Sequence, residues 1–294
     1  MKRIFLFVAT NVAIMITLSI VLSLLGVTGY ITPDGLNYAA LMVFSLVWGF
    51  GASIVSLLMS RWMAKMAMGV QVVDGSTGHA ELDWLYQAVQ RLAQKANLPM
   101  PEVGIYESPE VNAFATGPSK RSSLVAVSSG LMRSMRREEI EGVLAHEVSH
   151  IQNGDMVTMT LIQGVVNSFS IFFSRVIANI VRQLVDERIS GLVFFVTTIL
   201  FDIVFSFLGM MVVAWFSRAR EFRADAGAAV LSSPNNMIAA LQRLQANQAL
   251  VDNSQPQLAT MKINGSKATG LRALMMTHPP LEERIAALQR PVLR

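Results

Sequence analysis

Long apolar runs alternate along the chain with stretches in which charge and short-period patterning return. From Ile4 to about Tyr30 nearly every position is apolar, enough for one helix to cross roughly 30 Å of hydrocarbon. A second run, about Leu36 to Leu58, follows a connector holding Thr32, Pro33, Asp34 and Gly35. A secretory signal has a shorter apolar core closed by a small-residue cleavage site, so the first run is expected to stay as an anchor. Lys2 and Arg3 precede this pair, Arg61 and Lys65 follow it, and the connector carries no Lys or Arg. The positive-inside rule then puts both outer ends in the cytosol and the connector in the periplasm.

From about Met66 to Gly154 the pattern is that of a soluble domain. Leu82, Leu85, Val89, Leu92 and Ala96 recur at helical spacing. Glu102 to Tyr106, Asn112 to Thr116 and Leu124 to Ser128 read as three short strands separated by Pro and Gly, hence a small sheet. Two more apolar runs follow, about Met156 to Val181 and about Leu192 to Phe216, joined by the mixed-charge segment Arg182 to Gly191. Arg175 and Asp202 lie inside them, where an unpaired charge costs about 2.5–3.5 kcal/mol on insertion scales. These two are therefore expected to face each other or a wet interior. Arg218, Arg220 and Arg223 mark re-entry into the cytosol. A helix over about Asn235 to Leu250, a polar loop around Asp252 to Gly270 and a last helix over about Pro280 to Gln289 complete the chain, with no internal repeat.

The expected organisation is a membrane hairpin at 1–65, a cytosolic part at 66–155, a second hairpin at 156–216 and a second cytosolic part at 217–294. The fold class is mainly α: an integral membrane protein of four transmembrane helices with a domain carrying a small β-sheet. Composition agrees, since 52% hydrophobic and 15% charged residues are too apolar for an ordinary soluble enzyme of 294 residues. The net charge of +4 would suit nucleic acid or an anionic membrane, but most basic residues flank the apolar runs and so favour the membrane. With no cysteine, disulfides and thiolate metal sites are excluded, and any metal must use His and carboxylate.

Chemistry concentrates in Glu141 to Ile151, which reads EGVLAHEVSHI. His146 and His150, four apart on a helix, are offset by about 40° and can share one metal at roughly 2.1 Å each. Ile140, Leu144, Val148 and Ile151 cluster on the opposite side as a core face. Glu147 lies beside the metal face, where a carboxylate can take a proton from water and return it to a leaving amine. Two histidines falling four apart on a surface helix by chance is the bland alternative. A catalytic zinc needs a third ligand, and without Cys a downstream carboxylate is the natural candidate. Glu221 follows the fourth apolar run and HEVSH precedes the third, so a membrane hairpin returns both to one surface. Asp225, one turn beyond Glu221, can accept the free ring N–H of a ligand histidine. Both acids merely pairing with nearby arginines on a juxtamembrane helix is the alternative. His79, in a glycine-flanked loop, has no chemical context.

The chain resembles the HtpX family of heat-shock-associated bacterial membrane proteases, relatives of the CAAX prenyl endopeptidases, nearly from end to end. The resemblance rests on VNAFATG (Val111 to Gly117), LVAVSSGLM (Leu124 to Met132), AHEVSHIQNGDMVTMTLIQGVVN (Ala145 to Asn167), WFSRAREFRADAGAA (Trp215 to Ala229) and MTHPPLEERIAAL (Met276 to Leu288). It implies one zinc ion on His146, His150 and Glu221, Glu147 as general base and Asp225 behind the ligands. It implies four helices in the bacterial inner membrane, a cytosolic, zincin-like metallopeptidase domain made of the parts at 66–155 and 217–294, and quality control of misfolded membrane proteins. Where such proteins often carry His in the third-ligand helix, Arg223 stands here and is not a ligand. By similarity to zinc peptidases, Asn112, Ala113 and Phe114 form either an edge strand that pairs with substrate or a buried strand with a capping Asn. By similarity to the prenyl endopeptidases, His278 contacts substrate or the oxyanion; the alternative is a structural His before Pro.

The partners expected are polypeptides and membrane lipid, without nucleic acid or nucleotide, because neither a P-loop nor a Rossmann glycine pattern is present and cleavage should be ATP-independent. An intramembrane protease is disfavoured by the charged segment Arg133 to Glu141 before the motif. A scaffold with structural zinc would fill all four positions with Cys and His. A transporter would find little path in four spans.

Overall fold

The computed structural model describes residues 2–27, 29–32, 35–254 and 274–290. Pro33 and Asp34 of the first connector, and the expected polar loop from 255 onward, lie outside the described residues. The chain forms two compact units, one of residues 1–57 and 158–213, the other of 58–157 and 214–294.

In the first unit α1 (Lys2–Leu24) leads through a two-residue ribbon, β1 (Ile31–Thr32) against β2 (Gly35–Leu36), into α2 (Tyr38–Met68). α6 (Asp155–Arg182) and α7 (Glu187–Leu231) supply the rest. Among the described residues α2, α6 and α7 are long and apolar enough to cross a membrane, with mean hydropathies of 2.1, 1.5 and 2.3 in their most apolar windows. Their outward faces are apolar, as at Leu200, Ile203 and Phe195, so these helices have little buried core of their own and need a lipid environment.

Small residues let them pack. Leu41, Ser45, Gly49 and Ser53 recur every fourth position on the buried face of α2. A Cβ at Gly49 would sit 2.5 Å from the Ser168 backbone nitrogen on α6, and one at Gly164 would sit 2.5 Å from the Phe50 ring. Neither obstacle is a flexible tip, so the two helices meet nearly backbone to backbone. Gly49→Ala is expected to destabilise the chain by about 1–3 kcal/mol through overpacking. Thermal unfolding in detergent checks it; an unchanged midpoint would place no close crossing there. Arg175 and Asp202 pair as the bilayer argument requires, at 2.7 Å between Nη1 and Oδ1.

α7 departs from the sequence expectation by running on past Phe216 to Leu231 as one 45-residue helix. No proline interrupts it, and Pro234 begins the next helix, α8 (Pro234–Ser254). Glu221 and Asp225 therefore belong to the same helix as the fourth apolar run.

The second unit holds a four-stranded sheet in the order β3 (Gln71–Val73), β4 (Glu102–Tyr106), β6 (Ser122–Ser128), β5 (Ala113–Ser119). β4 and β6 are parallel and the other pairs antiparallel. β3 is one strand more than the sequence indicated, because three residues are too few for alternation to register. β5 runs three residues past the expected Thr116. Gly117 and Pro118 look like punctuation, but Gly117 takes a φ of +141° and a register shift between Thr116 and Ser119 carries the ladder through.

α3 (Ala80–Lys95) buries Leu85, Val89 and Leu92 against α5 (Arg137–Asn153). α4 (Ser129–Ser134), α8 and α9 (Leu281–Gln289) close the unit. The core joins Leu85, Val89, Leu92, Val125, Ile140, Leu144, Val148, Ile151, Met237 and Leu241. Glu102 ties the sheet to the end of α2, receiving Lys65 at 2.7 Å and Arg61 at 3.1 Å.

Candidate metal centre

α5 begins where the Glu139 carboxylate accepts the Arg136 backbone N–H at 2.8 Å, and ends at Gly154, whose φ of +70° suits only a residue free of a Cβ penalty. Between these stops Ile140, Leu144, Val148 and Ile151 are buried in the core, which fixes the rotation of the helix and turns His146 and His150 together to the other side. α7 approaches closely at Gly227, where a Cβ would lie 2.6 Å from the Ser149 hydroxyl on α5. Six residues earlier on α7, and thus nearly two turns away, Glu221 meets both imidazoles.

The three side chains converge. His146 Nε2 and His150 Nε2 are 3.1 Å apart, Glu221 Oε2 is 3.5 Å from the first and Glu221 Oε1 3.4 Å from the second. A tetrahedral ion with ligands at about 2.1 Å holds those ligands about 3.4 Å from one another. Protein partners also set the ring tautomers. Asp225 Oδ1 lies 2.9 Å from His146 Nδ1 and Asp155 Oδ2 lies 2.6 Å from His150 Nδ1. A carboxylate at each Nδ1 favours Nδ1–H, which turns Nε2 of each ring inward as the atom that can ligate a metal. Glu221 Oε1 is buried without a hydrogen bond among the described residues, with Arg220 Nε 3.6 Å away. The two Nε2 atoms and the Glu221 carboxylate make an N,N,O donor set within one ion's reach, and such a set without sulfur suits zinc once the rings are deprotonated.

The surroundings are charged and largely buried. Glu221 is 0% exposed and Asp225 2%. Arg284, on α9 and also buried, grips Asp225 with a two-pronged contact, Nε to Oδ2 at 2.8 Å and Nη2 to Oδ1 at 2.6 Å, while its Nη1 lies 3.5 Å from Glu221 Oε2. Burial alone would lower the His150 pKa, but the carboxylates of Asp155 and Glu221 outweigh it and raise the ring to about 9. His146 shifts up too, burial again being overcome by Asp225 and Glu221. Both shifts favour the protonated rings, so metal binding at the Nε2 atoms competes with protons.

Glu147 projects from the same helix, half-buried, and its carboxylate has no hydrogen bond or ion pair among the described residues. His278 is half exposed and places Nδ1 2.9 Å from Glu221 Oε2. Asn112 sits just before β5, where its N–H donates to Ser128 Oγ at 3.1 Å and its carbonyl accepts the Ser128 N–H at 2.9 Å. Ala113 and Phe114 begin β5, which is an edge strand of the sheet and not a buried one, and which packs against α5. His79 precedes α3 and takes no part in the site.

Two site residues escape a reading of the sequence. Asp155 had a local signal, an acid directly after the Gly154 helix stop and five positions from His150. Arg284 had a weaker one, a lone cation on the face that Leu281 and Leu288 make apolar. Asp155→Ala is expected to weaken zinc binding by about 10- to 100-fold with the fold intact, measured by competition with a chromophoric chelator. Unchanged affinity would mean that Asp155 does not orient the His150 ring.

Residues 79–292 match peptidase family M48, a stretch that includes every side chain of this centre. The chain belongs to peptidase family M48. Relatives include a Protease HtpX homolog of Thiobacillus denitrificans, 52% identical over 292 residues that cover 98% of this chain and 99% of the relative. Protease HtpX of Thioalkalivibrio sulfidiphilus is 52% identical over 293 residues, with the same coverage of both chains. In fold the chain is similar to the crystal structure of S. mikatae Ste24p, with a TM-score of 0.58 at 20% identity. That match covers 85% of this chain, which spans only 58% of the length of Ste24p. As an M48 peptidase with apolar helices of spanning length, the chain is a membrane metalloprotease that acts on peptide bonds and uses zinc.

Proposed function

We propose that the chain is an ATP-independent zinc endopeptidase of the bacterial inner membrane that cleaves misfolded or damaged membrane proteins at the cytosolic face. The observation that carries the reading is the convergence of His146, His150 and Glu221 beside Glu147, a carboxylate with no hydrogen bond or ion pair among the described residues. His146, His150 and Glu221 hold the metal, and zinc supplies there a Lewis acid that polarises the scissile carbonyl and makes water easier to deprotonate. Glu147 takes the proton from the attacking water and passes it to the leaving amine. Asp225 and Asp155 keep the two rings turned inward, and Arg284 holds Asp225. The open edge of β5 at Ala113 and Phe114, entered through Asn112, aligns the substrate as an added strand. His278 lies near enough to Glu221 to donate to the oxygen that gains charge at the scissile carbonyl.

The basic residues around the apolar runs support four spans with N-terminus, C-terminus and catalytic part in the cytosol. The absence of a nucleotide-binding motif supports ATP independence. The test uses the full-length chain in lipid nanodiscs with an unfolded membrane protein and no nucleotide. Cleavage should stop with a chelator, return with zinc and ignore ATP; chelator-resistant cleavage, or none by the zinc-loaded chain, would overturn the reading. Because the chain has no cysteine, a single Cys at the exposed Ser76 position reports the side of the membrane, and labelling from the cytosol is expected.

A further inference from the structure

The ion pair inside the apolar helices is only half closed. Arg175 Nη1 donates to Asp202 Oδ1 at 2.7 Å, to Ser174 Oγ at 2.9 Å and to the Ile171 carbonyl at 3.3 Å. Ser174 Oγ donates to the same Asp202 Oδ1 at 2.5 Å. All contacts therefore pass through one nitrogen and one oxygen. Arg175 Nε is buried without an acceptor, and neither Arg175 Nη2 nor Asp202 Oδ2 has a hydrogen bond among the described residues. A pair serving only to lock two helices would gain from closing as a two-pronged fork and withdrawing from lipid. Instead the Asp202 side chain is 35% exposed, between Ile199 and Ile203, which are 45% and 63% exposed. Phe169 and Phe173, stacked at 4.2 Å and packed with Phe205, present apolar surface on the neighbouring helix.

We propose that Arg175 and Asp202 form an intramembrane docking site for a carboxamide side chain, Asn or Gln, of a substrate's transmembrane helix. An open donor beside an open acceptor matches a carboxamide, which carries both, better than it matches a group of either charge. The aliphatic and phenyl surface around it suits the apolar remainder of such a helix. The chemistry also discriminates: a folded membrane protein satisfies its polar side chains within its own bundle, and a misfolded one leaves them facing lipid. The site rests on the reading that membrane proteins are substrates.

The test compares two substrates in nanodiscs that differ only by Asn or Leu at one position in a transmembrane helix, at the depth of Asp202. The wild-type chain should cleave the Asn substrate with a KM about three- to fifteen-fold lower, the range of interhelical hydrogen bonds in lipid. The charge-free double variant R175L/D202L should lose that preference while it keeps its zinc and its cleavage of a soluble unfolded polypeptide. A photocrosslinker at Ile199 should capture the Asn substrate. Equal KM values in the wild type, an unchanged preference in the double variant, capture only of lipid or of a second copy, or a double variant that loses soluble cleavage as well would overturn the docking site. Cleavage of the Leu substrate by the wild type separately upholds the underlying reading.

Discussion

Glu147→Gln leaves one zinc per chain and lowers peptide-bond cleavage by about 10²- to 10⁴-fold, the range for a positioned general acid–base. The reasoning starts from isolation. His146 and His150 each have a carboxylate at Nδ1, Glu221 lies against both rings and Arg284 grips Asp225, whereas the half-buried Glu147 has no hydrogen bond or ion pair among the described residues. Amidation removes a proton acceptor without removing a ligand, so binding and chemistry separate. Zinc content by elemental analysis, together with cleavage by the purified variant, checks both halves. A variant as active as the wild type would move the base elsewhere.

Arg284→Met is expected to cost about 3–5 kcal/mol of stability, since it leaves the buried Asp225 carboxylate without its two-pronged partner. The loss reaches the metal, because Asp225 also holds the His146 ring. Arg284→Lys keeps the charge but not the fork and should fall between. Denaturant unfolding of the metal-free chains in detergent measures the order wild type, Lys, Met. A Met variant that unfolds with the wild type would show that the buried pair contributes nothing.

What the sequence revealed follows from the reach of each signal. The four-residue spacing of His146 and His150 needs only helix geometry to bring two rings together, and hairpin logic sufficed to carry Glu221 back across 71 positions to His150. The cost of isolated charge in lipid left Arg175 and Asp202 to face either each other or a wet interior, and only the structure distinguishes the two by showing the pair. The strand β3 was too short to show alternation, and the extent of β5 was hidden by Gly117 and Pro118, whose usual meaning a local register shift overrides. Arg284 was illegible for a different reason. Its function depends on which buried acid the last helix meets, and that is a tertiary fact no local pattern encodes. The same holds for the open half of the Arg175 and Asp202 pair, visible only once the contacts of each atom are resolved.

The central claim is that His146, His150 and Glu221 together hold the zinc on which cleavage depends. Zinc per chain, measured on the purified wild type and on Glu221→Ala after identical dialysis, tests it directly. About one ion is expected in the wild type and almost none in the variant, with cleavage lost alongside the metal. Equal zinc in both chains, or a wild type that cannot be loaded, would contradict the account.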